Sequence, residues 1–248
     1  MELVAKARVY GDEAEISWGM RSGQPIKRGK ERPRGSSANF LEHLERAEKR
    51  AKAQVRRKIM SAGLDHLLTL TTRGNITEFE DTAEQLQSFV RKVHKYIPEW
   101  KYVAVAENQT RGAFHWHMAV KGWQKVDLLR KCWREVCGDG NIDVKAPKGR
   151  TECHQWQNIR LALYLSKYIT KNIEEDDGGF LVIGRHRYRA SLGIEDKVVC
   201  RVFPVAAGEN AVVEWLVEIA GRVGFRKIFD DGRAGYMCSW DTRILFSD

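Results

Sequence analysis

The feature that most constrains this chain is a pair of short apolar runs, YVAVAEN (residues 102–108) and FHWHMAV (residues 114–120), joined by the five-residue connection QTRGA. Both runs are rich in β-formers and the connection carries a glycine, the pattern of an antiparallel hairpin. Side chains alternate along a strand, so His115 and His117 share one face while Trp116 takes the other and serves the core. Glu107 lies on the partner strand, and a residue directly opposite a histidine shares its face. Two imidazoles and a carboxylate can hold a divalent ion such as Mn²⁺ or Mg²⁺ and leave positions open for a phosphate oxygen and water. Taken alone, such a histidine pair is more often packed on a sheet face than bound to metal.

The flanking sequence builds a sheet with helices around this hairpin. Asn39 and Glu42 open a pattern in which Phe40, Leu44, Ala47, Ala51, Val55 and Ile59 recur at helical spacing until Gly63, which predicts a long amphipathic helix. LLTLTT (67–72) predicts a buried strand, and residues 77–96 a helix ended by Pro98. A helix over 127–137, a strand at NIDVKA (141–146) and a helix over 154–173 follow. Beyond them the pattern weakens to strands at RHRYRAS, GFRKIF and YMCSW and a helix near 209–223. Without Gly-rich phosphate loops, and with an antiparallel hairpin at its centre, the chain reads as α+β: a ferredoxin- or RRM-like antiparallel sheet with helices packed on it. The expected organisation is a basic N-terminal arm over 1–38, a core over 39–175 that includes the basic helix 39–62, and a C-terminal extension of the same domain over 176–248.

A second cluster lies in LALYLSKYITK, where Tyr164, Lys167, Tyr168 and Lys171 fall on one side of a helix and Ala162, Leu165, Ile169 and Ile173 on another. Lysines favour a nearby anion, so a phenol beside them is expected to ionise more easily and to meet a phosphate. A surface helix with packed tyrosines is the plainer alternative.

Charge points to the partner. The chain carries a formal +9, and residues 21–62 hold thirteen Lys or Arg against four Glu, which accounts for all of it. A concentrated basic segment attracts polyanions, nucleic acid above all. Lys27, Arg28, Lys30, Arg32 and Arg34 in the arm, with Arg56, Arg57 and Lys58 on the helix, are the candidate phosphate contacts, giving affinity without base specificity. No run of eighteen apolar residues and no signal-peptide pattern occurs, and the five cysteines are odd in number and widely spaced. These features predict a soluble cytoplasmic protein with reduced thiols and no membrane partner.

Together the run LLTLTT, the glutamate upstream of HWHMAV, and YLSKYITK resemble, in order and spacing, the three motifs of HUH endonucleases, in particular the two-tyrosine rolling-circle replication initiators of phages and plasmids. The resemblance covers about residues 64–175. It implies that His115, His117 and Glu107 hold the metal, that Tyr164 and Tyr168 are nucleophiles, and that Lys167 and Lys171 steady the scissile phosphate or the leaving oxygen. It further implies nicking of one strand through a 5′-phosphotyrosine link with a free 3′-hydroxyl primer. The origin would be single-stranded or hairpin DNA, in the cytoplasm of the host cell. Thr69 and Thr71 belong to the strand matching the first motif and are expected to support the metal-bearing strands. No helicase motif is present, so a host or replicon helicase and a polymerase are the expected partners.

Other readings rank lower. A single-tyrosine HUH transposase fits the tyrosine pair less well, and a relaxase commonly places its tyrosine ahead of the histidines. A non-catalytic single-strand-binding module explains the basic segment and the eight tryptophans as stacking platforms, but leaves the clustered histidines and tyrosines as coincidence. A zinc site from Cys132, Cys137, Cys153 and His154 suffers from poor spacing, and Cys132 and Trp133 sit at apolar helix positions. An iron-oxygenase triad gains nothing from the tyrosine-lysine helix.

Overall fold

The structure, a computed structural model, describes residues 2–10, 13–21, 40–74, 76–109, 112–146, 154–174, 188–195, 198–207, 210–211, 214–215, 224–230 and 236–241. In chain order these hold β1 (Glu2–Tyr10), β2 (Glu13–Arg21), α1 (Phe40–Ala62), β3 (His66–Thr71), α2 (Phe79–Tyr96), β4 (Tyr102–Asn108), β5 (Phe114–Val120) and α3 (Val126–Cys137). There follow β6 (Asn141–Lys145), α4 (His154–Glu174), β7 (Arg189–Ala190), β8 (Val198–Pro204), β9 (Gly224–Asp230) and β10 (Tyr236–Asp241). The fold is α+β, with antiparallel sheets as expected. No helix among the described residues is long and apolar enough to cross a membrane.

Two compact units emerge, residues 32–194 and residues 1–31 with 195–248. In the first, the sheet order is β6-β3-β5-β4-β7 and every pairing is antiparallel. The chain order β3-α2-β4-β5-α3-β6 on that sheet is the split βαββαβ arrangement of ferredoxin-like domains. Strand alternation assigns each face its helices. Leu68, Leu70, Ala104, Ala106, Trp116, Met118 and Ile142 pack with Leu86, Phe89 and Val93 of α2 and Leu129, Cys132 and Trp133 of α3. On the other face Val103, Val105 and Ala119 pack with Ala51, Val55 and Ile59 of α1 and Ala162, Leu165 and Ile169 of α4. Helices thus cover both faces, which is why β4 and β5 read as nearly unbroken apolar runs.

Trp116 serves the core on the face opposite the histidines, as expected, and its indole N–H donates to Thr82 Oγ1 at 2.9 Å, so the ring is buried with its polar atom satisfied. Cys132 and Trp133 are buried in the core as predicted. Trp133 Nε1 donates to the Thr71 carbonyl at 2.8 Å, tying α3 to the end of β3. Gly140 lies against that junction: a methyl group there would collide with Cys137 Sγ, Trp133 Nε1 and Thr71 O.

The second unit holds a five-stranded sheet of order β8-β1-β2-β10-β9, also antiparallel. Leu3 pairs with Phe203, and both are buried together with Ala5, Tyr10 and Trp215. The Phe203 and Trp215 rings meet edge to face at 5.8 Å.

This division differs from an arm over 1–38 and an extension over 176–248. Residues 2–21 form a hairpin whose outer neighbours, β8 and β10, come from the far end of the chain. That pairing is non-local, and no local pattern announces it. Residues 22–39, with the proposed arm contacts Lys27, Arg28, Lys30, Arg32 and Arg34, lie outside the described residues, as does most of the helix expected over 209–223.

Candidate active site

The site is built on the face of the sheet that carries α1 and α4. Glu107 pairs directly with His115 across the β4–β5 ladder, and His117 sits between Val105 on one side and Thr69 of β3 on the other. The side chains do not follow the ladder. Glu107 reaches diagonally, and its Oε2 accepts a hydrogen bond from His117 Nε2 at 2.6 Å. Thr69 Oγ1 lies 3.3 Å from the other imidazole nitrogen of His117, so the ring is held from both ends. His117 is 7% exposed, and a carboxylate beside a desolvated imidazole is the pairing that burial demands. His115 is engaged differently: the Gln109 side-chain amide donates to its Nδ1 at 3.1 Å.

Helix α4 brings the tyrosines to this face. Ala162, Leu165 and Ile169 are buried against the sheet, as their spacing predicted, and each large apolar side chain so buried contributes about 1.5–3 kcal/mol to holding the helix down. With that face fixed, Tyr164 and Tyr168, one turn apart, fall over His117. The Tyr168 ring stacks on the His117 imidazole, with centroids 4.4 Å apart and planes at 15°. Tyr164 meets the same imidazole edge-on at 6.2 Å and Tyr168 at 5.2 Å. The Tyr168 hydroxyl donates to the Tyr164 oxygen.

Electrostatics separate the two phenols. Burial, the hydrogen bond to Tyr164 and the nearby Glu107 carboxylate all push the Tyr168 hydroxyl well above the ordinary tyrosine range. This corrects the expectation that flanking lysines ease its ionisation. Lys167 is exposed and does not counter the burial and the carboxylate that act on the ring. Tyr164, by contrast, is 37% exposed.

The remaining site candidates divide. The side chain of Lys171 lies outside the described residues. Arg56 and Arg57 are half-buried on α1, and Lys58 Nζ donates to the Ile194 carbonyl at 3.4 Å. Lys49 and Arg50, on the same helix, are exposed and were not singled out from the sequence. Sequence reasoning also missed Gln109, although it lies two residues after Glu107 and therefore on the same face by strand alternation.

Two imidazoles and one carboxylate on a single sheet face suit a hard divalent ion in their chemistry. The structure brings His117 and Glu107 into contact and leaves His115 beside Gln109. Among the described residues no three His, Cys, Asp or Glu side chains are gathered closely enough to hold one ion.

Residues 65–173, from β3 through α4, match the family model of the ORF2 group of replication-associated proteins. That match supports a Rep-type replication initiator, and with it DNA as the partner. No curated protein and no solved structure matches the chain.

Proposed function

We propose that this protein is a two-tyrosine HUH endonuclease that starts rolling-circle replication by nicking one DNA strand at an origin. The observation that carries the reading is the stack of Tyr168 on His117, which brings the tyrosine pair of α4 to the histidine pair of β5. The family match, which spans both elements, points the same way.

His117, Glu107 and His115 are the residues that would hold Mn²⁺ or Mg²⁺. Bound there, the ion would polarise the scissile phosphate and neutralise its charge. The remaining work falls to the chain itself. Tyr164 attacks first. Its oxygen accepts the Tyr168 hydrogen bond, so negative charge developing on it in the transition state meets a donor already in place. Its exposure gives its proton a path to solvent. A Tyr164 Oη–phosphorus bond forms, the bond from phosphorus to the 3′ oxygen breaks, and that oxygen takes up a proton to become the primer hydroxyl. Tyr168 is held protonated in the resting state and serves the second transfer, when the regenerated origin returns. Lys167 and Lys171 lie on the same helix side by spacing and are assigned to the phosphate and the leaving oxygen. The basic segment around α1 supplies affinity for the backbone, and a separate helicase and polymerase extend the nicked strand.

The test is incubation with single-stranded DNA of the source replicon, with Mn²⁺ or chelator, followed by denaturing electrophoresis. The expected result is a metal-dependent covalent adduct, absent from His117→Ala and from the Tyr164→Phe/Tyr168→Phe double variant. Tight DNA binding with no adduct under any metal would overturn the reading in favour of a non-catalytic single-strand-binding module.

A further inference from the structure

The loop between β5 and α3, KGWQK (residues 121–125), presents Trp123 at 85% exposure. Exposing an indole to this degree costs the burial its area would otherwise supply, and such a side chain commonly marks an interaction site. The loop is not loose. The Gly122 N–H donates to Asp65 Oδ1 at 2.6 Å, and the same carboxylate oxygen holds His66 Nδ1 at 2.8 Å. Gly122 has φ near 65°, a conformation that favours glycine and turns the chain so that the next residue projects. Gln124 donates to the Lys121 and Gly122 carbonyls at 2.9 and 3.0 Å, and its own oxygen accepts from Trp100 Nε1 at 2.9 Å. The buried His66 ring packs against Trp123 at 5.5 Å. The tryptophan is thus fixed at its base and open on its outer side, with Lys121 and Lys125, both exposed, on either side of it in the chain.

We propose that Trp123 is a stacking platform for an unpaired base of single-stranded DNA, with Lys121 and Lys125 meeting the adjoining phosphates. The inference rests on the DNA-nicking reading and adds a contact that neither the motifs nor the family match assigns. Stacking needs only a π-face and so tolerates any base, and a preorganised ring loses little entropy on binding. The platform lies just beyond the C-terminal end of the strand that carries His117. From His117 to Val120 the chain rises about 10 Å, the length of roughly three stacked nucleotides at about 3.4 Å each. One strand can therefore visit both places, which would hold the DNA single-stranded beside the tyrosines.

The experiment measures fluorescence anisotropy with a short labelled oligothymidylate and with a blunt duplex of equal length, using wild type, Trp123→Ala, Trp123→Phe and Lys121→Gln/Lys125→Gln. Trp123→Ala should weaken single-strand binding by about fivefold to 150-fold, the span that stacking one base covers. Trp123→Phe should stay close to wild type, and duplex binding should not change. The double lysine variant should lower the slope of log affinity against log salt by about 1.4 for single strands. Circular dichroism and thermal melts verify that each variant is folded. Unchanged single-strand affinity in Trp123→Ala would overturn the platform and assign the tryptophan to a protein partner instead. Equal loss on single strand and duplex would overturn it as well. If wild type still forms the tyrosine adduct in either case, only the platform falls; if wild type neither binds single strands nor forms the adduct, the nicking reading falls with it.

Discussion

Tyr168 lies flat on His117, 4.4 Å away and at 15° to it, while its hydroxyl points to Tyr164. One tyrosine is thereby committed to the imidazole and the other left open to solvent. The two phenols, equivalent by sequence because each has a lysine three residues later, become unequal in the fold.

Order of attack follows from that inequality. Tyr164→Phe should abolish the first covalent adduct. Tyr168→Phe should slow it by about tenfold to a hundredfold, the worth of one hydrogen bond to a developing charge. Single-turnover adduct formation on an origin strand measures both, and the reverse ranking would transfer the first attack to Tyr168.

Alkaline stability offers a check that needs no DNA. The Tyr168 phenol is held above its ordinary range in the folded state by burial first, then by Tyr164 and Glu107. An unfolded tyrosine loses its proton near pH 10, so above that the unfolded state binds fewer protons than the folded one and stability falls as pH rises. Below about pH 10 the contribution is fully present. Tyr168→Phe should therefore flatten the decline of the urea midpoint between about pH 9 and 11. An identical decline in wild type and variant would show that the phenol titrates normally.

Metal binding should depend on residues that do not ligate. Thr69 touches His117 from a neighbouring strand, and outer partners of ligating imidazoles typically alter affinity by about 10–100-fold. Thr69→Val should weaken Mn²⁺ binding by that factor in calorimetry while leaving the melting temperature near wild type. Chelator should remove nicking altogether, with Mn²⁺ restoring it in wild type and not in Glu107→Gln.

Packing at the α3–β6 corner predicts a stability defect remote from the chemistry. Gly140→Ala must displace Cys137, Trp133 or the Thr71 backbone, and overpacking of this kind costs about 1–3 kcal/mol. Chemical denaturation measures it; a neutral result would mean that the Trp133 ring moves aside without loss of its bond to Thr71.

Much of the site was legible because it depends on short periods. A two-residue repeat in FHWHMAV places His115 and His117 on one face and Trp116 in the core, and a helical repeat in LALYLSKYITK separates Leu165 and Ile169 from the tyrosines. Such statements need only the geometry of one element, and the order of elements from β3 to α4 followed from the same local rules.

Relations between elements were settled elsewhere. The ladder pairs Glu107 with His115, yet the carboxylate bonds to His117; that choice depends on rotamers in a packed layer and not on spacing. Thr69 and His117 are 48 residues apart, and β1 finds β8 across most of the chain. Burial of Tyr168 arises only once α4 is seated on the sheet, and this burial reverses the ionisation that its lysine neighbours suggest. Sequence by itself determined which side chains share a face, because that is a property of one strand or one helix. The tertiary structure alone decided which faces meet and how much water they exclude, and thereby which phenol stays protonated.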